Sequence, residues 1–341
     1  MNKSAVKTMA VVVPAYNAAA TLPRCLAALE ASEHRPDEIV VVDDGSTDPT
    51  AEIARRHGAR VVPSSRPQSG AAAARNVGVV QTTAGLVVFV DADVAVHADS
   101  LGRFAALFAE EAELGAAFGS YDAQPPCRTA VSLYTNLRHH HTHQTASPEA
   151  WTFWSGLGAI RRGAFDRLGG FDDAMATSVE DIELGMRLRQ SGGKIRLDPA
   201  IQATHLKAWT LGSLIRTDIK LRAIPWTRLL LQSRDVPADM NLGWSARVAA
   251  LLAWSIPGWA VAGCFWPWLW LGVPAALAGV VVLHRGLFGC LLRHAGLAKT
   301  LAAVALHTLH LAYSSAVFGG MLVASKFNRP EAPAGKRGDG P

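Results

Sequence analysis

Short apolar runs alternate with segments of helical period through the first hundred residues. Residues 9–13 (MAVVV) are stopped by Pro14, which predicts a buried strand entering a loop. A helix is expected over 18–31, with Leu22, Leu26 and Leu29 on one face and Pro23 tolerable only in its first turn. Residues 39–42 predict a second strand, and Thr47 or Asp48 is expected to cap a helix running through Arg56. Strands over 60–62 and 86–90 and a helix over 71–80 complete the series. This βαβα order predicts a parallel sheet with right-handed crossovers and ligands at the carboxyl ends of its strands.

The second half reads differently. Residues 248–283 contain no Asp, Glu, Lys or Arg. As one helix they would run about 54 Å against a hydrocarbon core of about 30 Å, so a hairpin is expected, divided at FWPWLW (265–270) into two spans of about 18 residues. Residues 300–325 form a third uncharged stretch, in which His307 and His310 either face a neighbouring helix or lipid acceptor or simply pack. Residues 284–299 carry Arg285, Arg293 and Lys299 and no acid, which predicts a cytoplasmic position. Three crossings would then place Lys326, Arg329, Lys336 and Arg337 outside, so a re-entrant hairpin and an exceptional tail both stay open. Leu and Ile mixed with Arg216, Lys220, Arg222 and Arg228 over 211–231 suit helices lying in the membrane interface. About five apolar residues precede Pro14, too few for a signal-peptide core, so the first half is expected to stay where it is made.

Composition fits this division. Half of the 341 residues are hydrophobic and 18% are charged, and a mean hydropathy of +0.16 is high for a purely soluble chain. Cys25, Cys127, Cys264 and Cys290 show no CxxC or CxxH spacing, which suggests neither a zinc site nor a disulfide framework and points to a reducing compartment. The net charge of +5 suits phosphate-rich ligands or an anionic membrane equally. No aromatic pattern interleaves with the basic residues, so a nucleic-acid partner is not expected.

The chemistry gathers at strand ends. Pro14-Ala15-Tyr16-Asn17, Asp43-Asp44-Gly45-Ser46 and Asp91-Ala92-Asp93 would converge at one rim. Both GxGxxG and the GxxxxGK[ST] phosphate loop are missing from the sequence. A divalent cation on Asp91 and Asp93 would instead make a diphosphate bindable, because hard oxygen ligands suit Mg2+ or Mn2+. The alternative is a pair of solvated turn acids.

VVVPAYN, VVDDGSTD, GAAAARNVG, FVDADV, FWSGLGAIRRGAFDRLGGFDD, VEDIELGMRLRQSGG and ATHLK occur in that order between residues 9 and 207. Together they resemble a membrane-anchored bacterial family 2 glycosyltransferase. The resemblance implies an α/β class, the GT-A fold with a Rossmann-like, mostly parallel sheet, followed by C-terminal transmembrane helices. It divides the chain into a GT-A domain (1–207), amphipathic interfacial helices (208–245), a transmembrane region of two or three helices (246–325) and a disordered tail (326–341).

It also implies roles. Pro14, Ala15, Tyr16 and Asp44 would bind the donor, with Asp44 on the nucleobase; Asp91, Asp93 and His205 would hold the metal on the diphosphate; Asp181 would be the catalytic base. Glu180 is expected to orient Asp181, Lys207 to meet the leaving diphosphate, and Arg75 to pair with the donor phosphates or form a surface ion pair. Each has a plainer alternative: an Asx-turn acid at Asp44, a helix-terminal acid at Asp181, a core or loop histidine at His205. Trp154 and Gly156 resemble an acceptor-side loop, or else a packed aromatic in a turn. In RHHHTHQ (138–144), His141 and His143 are expected to bind an anionic acceptor or lipid head group, against a second metal or a solvated helix face. The implied activity is inverting transfer of one sugar from a nucleotide-diphosphate-sugar to a lipid or lipid-linked acceptor, by a multi-pass inner (plasma) membrane protein with a cytoplasmic catalytic domain. Processive polysaccharide synthesis, sugar nucleotidyl transfer and a catalytically silent scaffold are the alternatives.

Overall fold

The computed structural model of the protein describes residues 8–173, 179–232 and 243–327. Its first apolar run forms β1 (Met9–Ala15), followed by α1 (Leu22–Glu30), β2 (Glu38–Asp43), α2 (Thr50–Arg56), β3 (Arg60–Pro63), α3 (Ala71–Val80) and β4 (Leu86–Val90). α1 begins later than its apolar period suggested, with Pro23 in its first turn, where the missing N–H costs nothing. Pro49 rather than Thr47 or Asp48 sits at the N-cap of α2, although Asp48 accepts the Thr50 N–H at 3.1 Å.

β5 (Val94–Val96), α4 (Ser100–Glu110), β6 (Leu114–Tyr121), α5 (Ala130–Thr145), β7 (Leu157–Arg161), α6 (Arg162–Leu168), α7 (Glu180–Gln190) and β8 (Lys194–His205) complete the α/β half. The described strands form one sheet in the order β3-β2-β1-β4-β7-β6-β8-β5. Parallel pairing holds from β3 to β4, as the alternation predicts; beyond β4 the sheet is mixed, because β7 runs antiparallel to β4 and β6, and β5 antiparallel to β8. Side-chain alternation splits the core in two. Val11, Val13, Val88 and Val90 pack toward α1 and α4, while Val12, Val42, Val87 and Phe89 pack toward α3, α6 and α7.

Two registers position the site. Val94 pairs with His205, which brings the end of β8 beside the β4–β5 turn. Val90 pairs with Leu157, so the segment before β7 lies across the end of β4.

After β8, α8 (Leu211–Arg216), a π-helical stretch (Thr217–Ala223) and α9 (Ile224–Gln232) run on as one helical segment. α10 (Trp244–Gly263), a 3-10 turn (Pro267–Leu271), α11 (Gly272–Leu283), α12 (Arg285–Ala295) and α13 (Leu297–Phe327) follow. Trp244–Gly263 and Leu297–Ser325 are long and apolar enough to cross a membrane. Leu251 and Leu301, 71% and 63% exposed, show how much apolar surface these helices leave uncovered by protein.

The expected second span does not form as a full-length helix. Its 12 residues in α11 reach about 18 Å, and Pro267–Leu283 meets Arg285–Ala295 at 88°, a broken span or a re-entrant loop. Lys326 lies at the end of α13, whereas Arg329, Lys336, Arg337 and nearly all of the expected tail fall outside the described residues, as do residues 233–242.

Candidate functional site

β4 ends at Val90, and the chain turns at once, with the Val94 N–H donating to the Asp91 carbonyl at 2.9 Å. Asp91 and Asp93 therefore occupy a tight turn between β4 and β5 rather than one face of a strand. Their side chains are about one-third exposed, whereas His205 is buried, its Nε2 3.6 Å from Asp93 Oδ2. Its ring lies flat against Tyr121, with centroids 4.3 Å apart and planes 7° apart. Burial pushes the Asp93 carboxyl up, but His205 and Lys207 outweigh it and the net shift is downward. At Asp91 burial wins with help from Asp93, and the carboxyl is raised against the pull of Arg75.

Two carboxylates and an imidazole at a partly open turn suit Mg2+ or Mn2+ by donor chemistry. Arg75 occupies only Oδ1 of Asp91, and the Asp93–His205 separation is one that two ligands of a single cation can span.

Asp181 sits in the first turn of α7. Its Oδ2 accepts both the backbone N–H and the hydroxyl of Ser155, at 3.0 and 3.1 Å, and its Oδ1 accepts the Ile182 N–H at 2.8 Å. Among the described residues no other donor reaches Oδ1, which leaves it a lone pair. Burial pushes this carboxyl up to about 6, the Glu180 charge adding to the effect while Ser155 and Arg75 oppose it.

Arg75 corrects its expectation. It lies within the body of α3, 4% exposed, and its guanidinium bridges Asp91 and Glu180 at 2.7 Å each. It is neither a surface ion pair nor a cation aimed at phosphate; it ties the β4–β5 turn to the start of α7. Glu180 is buried on the other end of that bridge.

Around the strand ends, Gly45 takes φ +83°, which favours glycine, and lets the chain reverse after Asp44. Asp43 accepts the Ser46 N–H and so shapes the same turn. Asp44 is buried, accepting the Ser69 N–H and hydroxyl on Oδ1 and the Gly70 N–H on Oδ2, each at 2.9 Å. Its carboxylate thus holds the loop before α3, and Oδ2, with one donor among the described residues, keeps a lone pair. Pro14 and Ala15 end β1, and Tyr16 is exposed at the rim beside them. Lys207 is exposed, its Nζ 4.3 Å from the Trp209 ring centre.

The acceptor-side expectations change most. Trp154 packs against Tyr121, His139 and His143, with centroids 4.7 to 5.0 Å apart. A Cβ on Gly156 would meet that same indole at 2.6 Å, so the glycine makes room for Trp154. His143 gives Nδ1 to the Gly119 carbonyl at 2.9 Å, and burial pushes its imidazole down to about 4. His139, which it touches, is lowered further by burial and by His143. His141 lies against Gly286 of α12. The histidine tract is therefore neither a cationic acceptor clamp nor a solvated face: two rings line the underside of Trp154, and two face α12.

Three residues that sequence reasoning passed over hold the assembly together: Tyr121 behind His205, Ser155 on Asp181, and Asp218. Asp218 of the π-helical stretch is 1% exposed and accepts from Arg138, Arg222 and the Tyr313 hydroxyl, with His310 Nδ1 at 3.0 Å. His307 contacts the Tyr134 hydroxyl at 3.0 Å and His284 at 3.2 Å. Both α13 histidines thus meet neighbouring elements, and a π-helix at such a junction is a recurrent device.

Comparison with known proteins places this geometry. Residues 10–169 match the profile described as glycosyl transferase family 2. An uncharacterized glycosyltransferase of Mycobacterium tuberculosis is 39% identical over 30% of this chain, a stretch covering 45% of the relative's own length. The N-acetylglucosaminyl-diphospho-decaprenol L-rhamnosyltransferase of the same species is 27% identical over 59% of this chain and 77% of the relative. A mannosyltransferase from Pyrobaculum calidifontis, solved with GDP-Man and Mn2+, superposes with a TM-score of 0.55 at 20% identity, covering 96% of this chain and 90% of that one.

Proposed function

We propose that this chain, whose residues 10–169 match glycosyl transferase family 2, is a GT-A glycosyltransferase that moves one sugar, with inversion, from a nucleotide-diphosphate-sugar to a lipid or lipid-linked acceptor. The observation that carries the reading is the tie between the Asp91-Ala92-Asp93 turn and Asp181, made through Arg75, Glu180 and Ser155. It sets a diphosphate-binding rim and a proton acceptor on one frame.

Pro14, Ala15 and Tyr16 line the donor end of the rim, and Asp44 shapes the loop beside them. Asp91, Asp93 and His205 would hold Mg2+ or Mn2+, as the Mn2+ in the mannosyltransferase structure supports. When bound, that cation supplies positive charge for the departing diphosphate. Lys207 adds a cation on the same side. Asp181 takes the acceptor hydroxyl proton on Oδ1 as that oxygen bonds to the anomeric carbon and the carbon–phosphate oxygen bond breaks, its electron pair leaving with the nucleoside diphosphate. A carboxyl held near 6 is ionised in good part at neutral pH yet basic enough to accept a proton. Ser155 fixes its orientation.

α10 and α13 support a membrane position, and the decaprenol-linked substrate in the rhamnosyltransferase's name supports a lipid-linked acceptor. The charges between the apolar helices support a cytoplasmic catalytic domain at the inner (plasma) membrane. The test is a screen of nucleotide sugars with Mn2+ and membrane lipid extract, followed by mass analysis of the product. One added sugar with release of nucleoside diphosphate supports the proposal; pyrophosphate release or a long polymer refutes it.

A further inference from the structure

Cys290 and His294 stand one turn apart on α12, where that helix packs on the catalytic half, and His140 of α5 meets them there. One metal-binding atom from each of the three side chains can be chosen so that all lie within 4.8 Å of one another. The i, i+4 spacing puts Cys290 and His294 on the same helix face. Leu133 and Leu137 of α5 and Leu287 and Leu291 of α12 share the apolar cluster that holds the two helices together.

Three features make this more than a chance meeting. His140 Nδ1 lies 2.7 Å from the Tyr121 carbonyl, so it is the protonated nitrogen and Nε2 carries the lone pair. Metal-binding imidazoles are held in this way, with the second nitrogen on a carbonyl or carboxylate. Cys290 is a free thiol, 3% exposed, with no hydrogen-bond partner among the described residues. His294 lies in the last turn of α12, which Arg128 holds in place by donating to the His294 carbonyl at 2.9 Å. The donor set is two imidazoles and a sulfur with no carboxylate, which selects against Mg2+ and Mn2+ and suits a borderline-soft, tetrahedral ion.

We propose that His140, Cys290 and His294 form a second metal site, for Zn2+, which pins α12 to the catalytic domain and keeps one coordination position open. Binding releases the Cys290 proton to solvent, and the resulting thiolate offsets one of the two ion charges. His140 and His294 also line a cleft of about 470 Å³, together with Arg24, His97, Asp122 and Gln124, into which the open position would face. This site is chemically distinct from the oxygen-rich turn at Asp91 and Asp93.

The test uses the full chain, purified in detergent without a histidine tag, loaded with Zn2+ and dialysed against Mg2+ buffer. The expected result is about one retained Zn2+ per chain, falling to background in Cys290→Ala and in His294→Ala but unchanged in Asp93→Asn. Loading the wild-type protein with Co2+ needs no variant to fold: a thiolate-to-cobalt charge-transfer band in the near ultraviolet, abolished by added Zn2+, supports the site. Absence of that band, or zinc retention that follows Asp93 rather than Cys290, overturns it.

Discussion

His205 lies flat on Tyr121, ring planes 7° apart and centroids separated by 4.3 Å. Tyr121 ends β6 and His205 ends β8, two strands that run parallel, so the stack is set by sheet pairing rather than by a local motif. It fixes the imidazole that would complete the site with Asp91 and Asp93. Tyr121→Leu should therefore raise the Mn2+ concentration for half-maximal transfer about tenfold, the scale of support-residue losses at metal sites, while Tyr121→Phe keeps it near wild type. A metal titration of initial rates checks this, and equal values for the two variants would count against the stack.

Arg75 holds two acids of the site at once. Arg75→Met leaves Asp91 and Glu180 without their counter-charge, and breaking a buried pair costs about 3–5 kcal/mol. Thermal unfolding of the full chain in detergent should show a clear loss, partly restored by adding Glu180→Gln. An unchanged transition would mean the bridge contributes nothing.

Asp181 should govern the acid limb of the pH profile. Its carboxyl is raised to about 6, so the ionised base is lost as pH falls through 6, and kcat/KM should fall with it. Ser155→Ala removes a hydrogen bond to the ionised form, worth about 1 kcal/mol or about 0.7 pH unit, and should move the limb upward. A downward shift would contradict the part given to Ser155.

Asp218 ties the segment after β8 to α5 and α13. Asp218→Ala strands Arg138 and should cost about 3–5 kcal/mol, whereas Tyr313→Phe removes one hydroxyl bond and should cost about 1–3 kcal/mol. Comparing the two melting transitions checks the ranking.

Much of this was legible in the sequence where the cause is local. The apolar runs at β2 and β4 end at acids and α3 runs over 71–80 as its pattern predicts, whereas β1 continues past Pro14 to Ala15, because pairing with β2 extends it. Asp91, Asp93 and His205 emerged from ordered motifs, and the strand pairing brings them together. Other features depend on partners far along the chain. β6 (LGAAFGSY) is rich in small residues without clear alternation, and it carries Tyr121. Arg75 reads as a surface cation until Glu180, 105 residues away, closes over it. Cysteine spacing gave no sign of Cys290 with His140, because that cluster joins two helices about 150 residues apart in sequence. The break of the 248–283 stretch near FWPWLW was legible, but not that the second helix, α11, runs for only 12 residues.

The most direct measurement of the central claim pairs donor binding with single-turnover transfer in Asp181→Asn. Loss of a positioned base predicts nucleotide-sugar affinity within about twofold of wild type and a transfer rate lower by about 10²–10⁴. Undiminished transfer, or a loss of donor affinity that accounts for the whole decrease, would contradict Asp181 as the base.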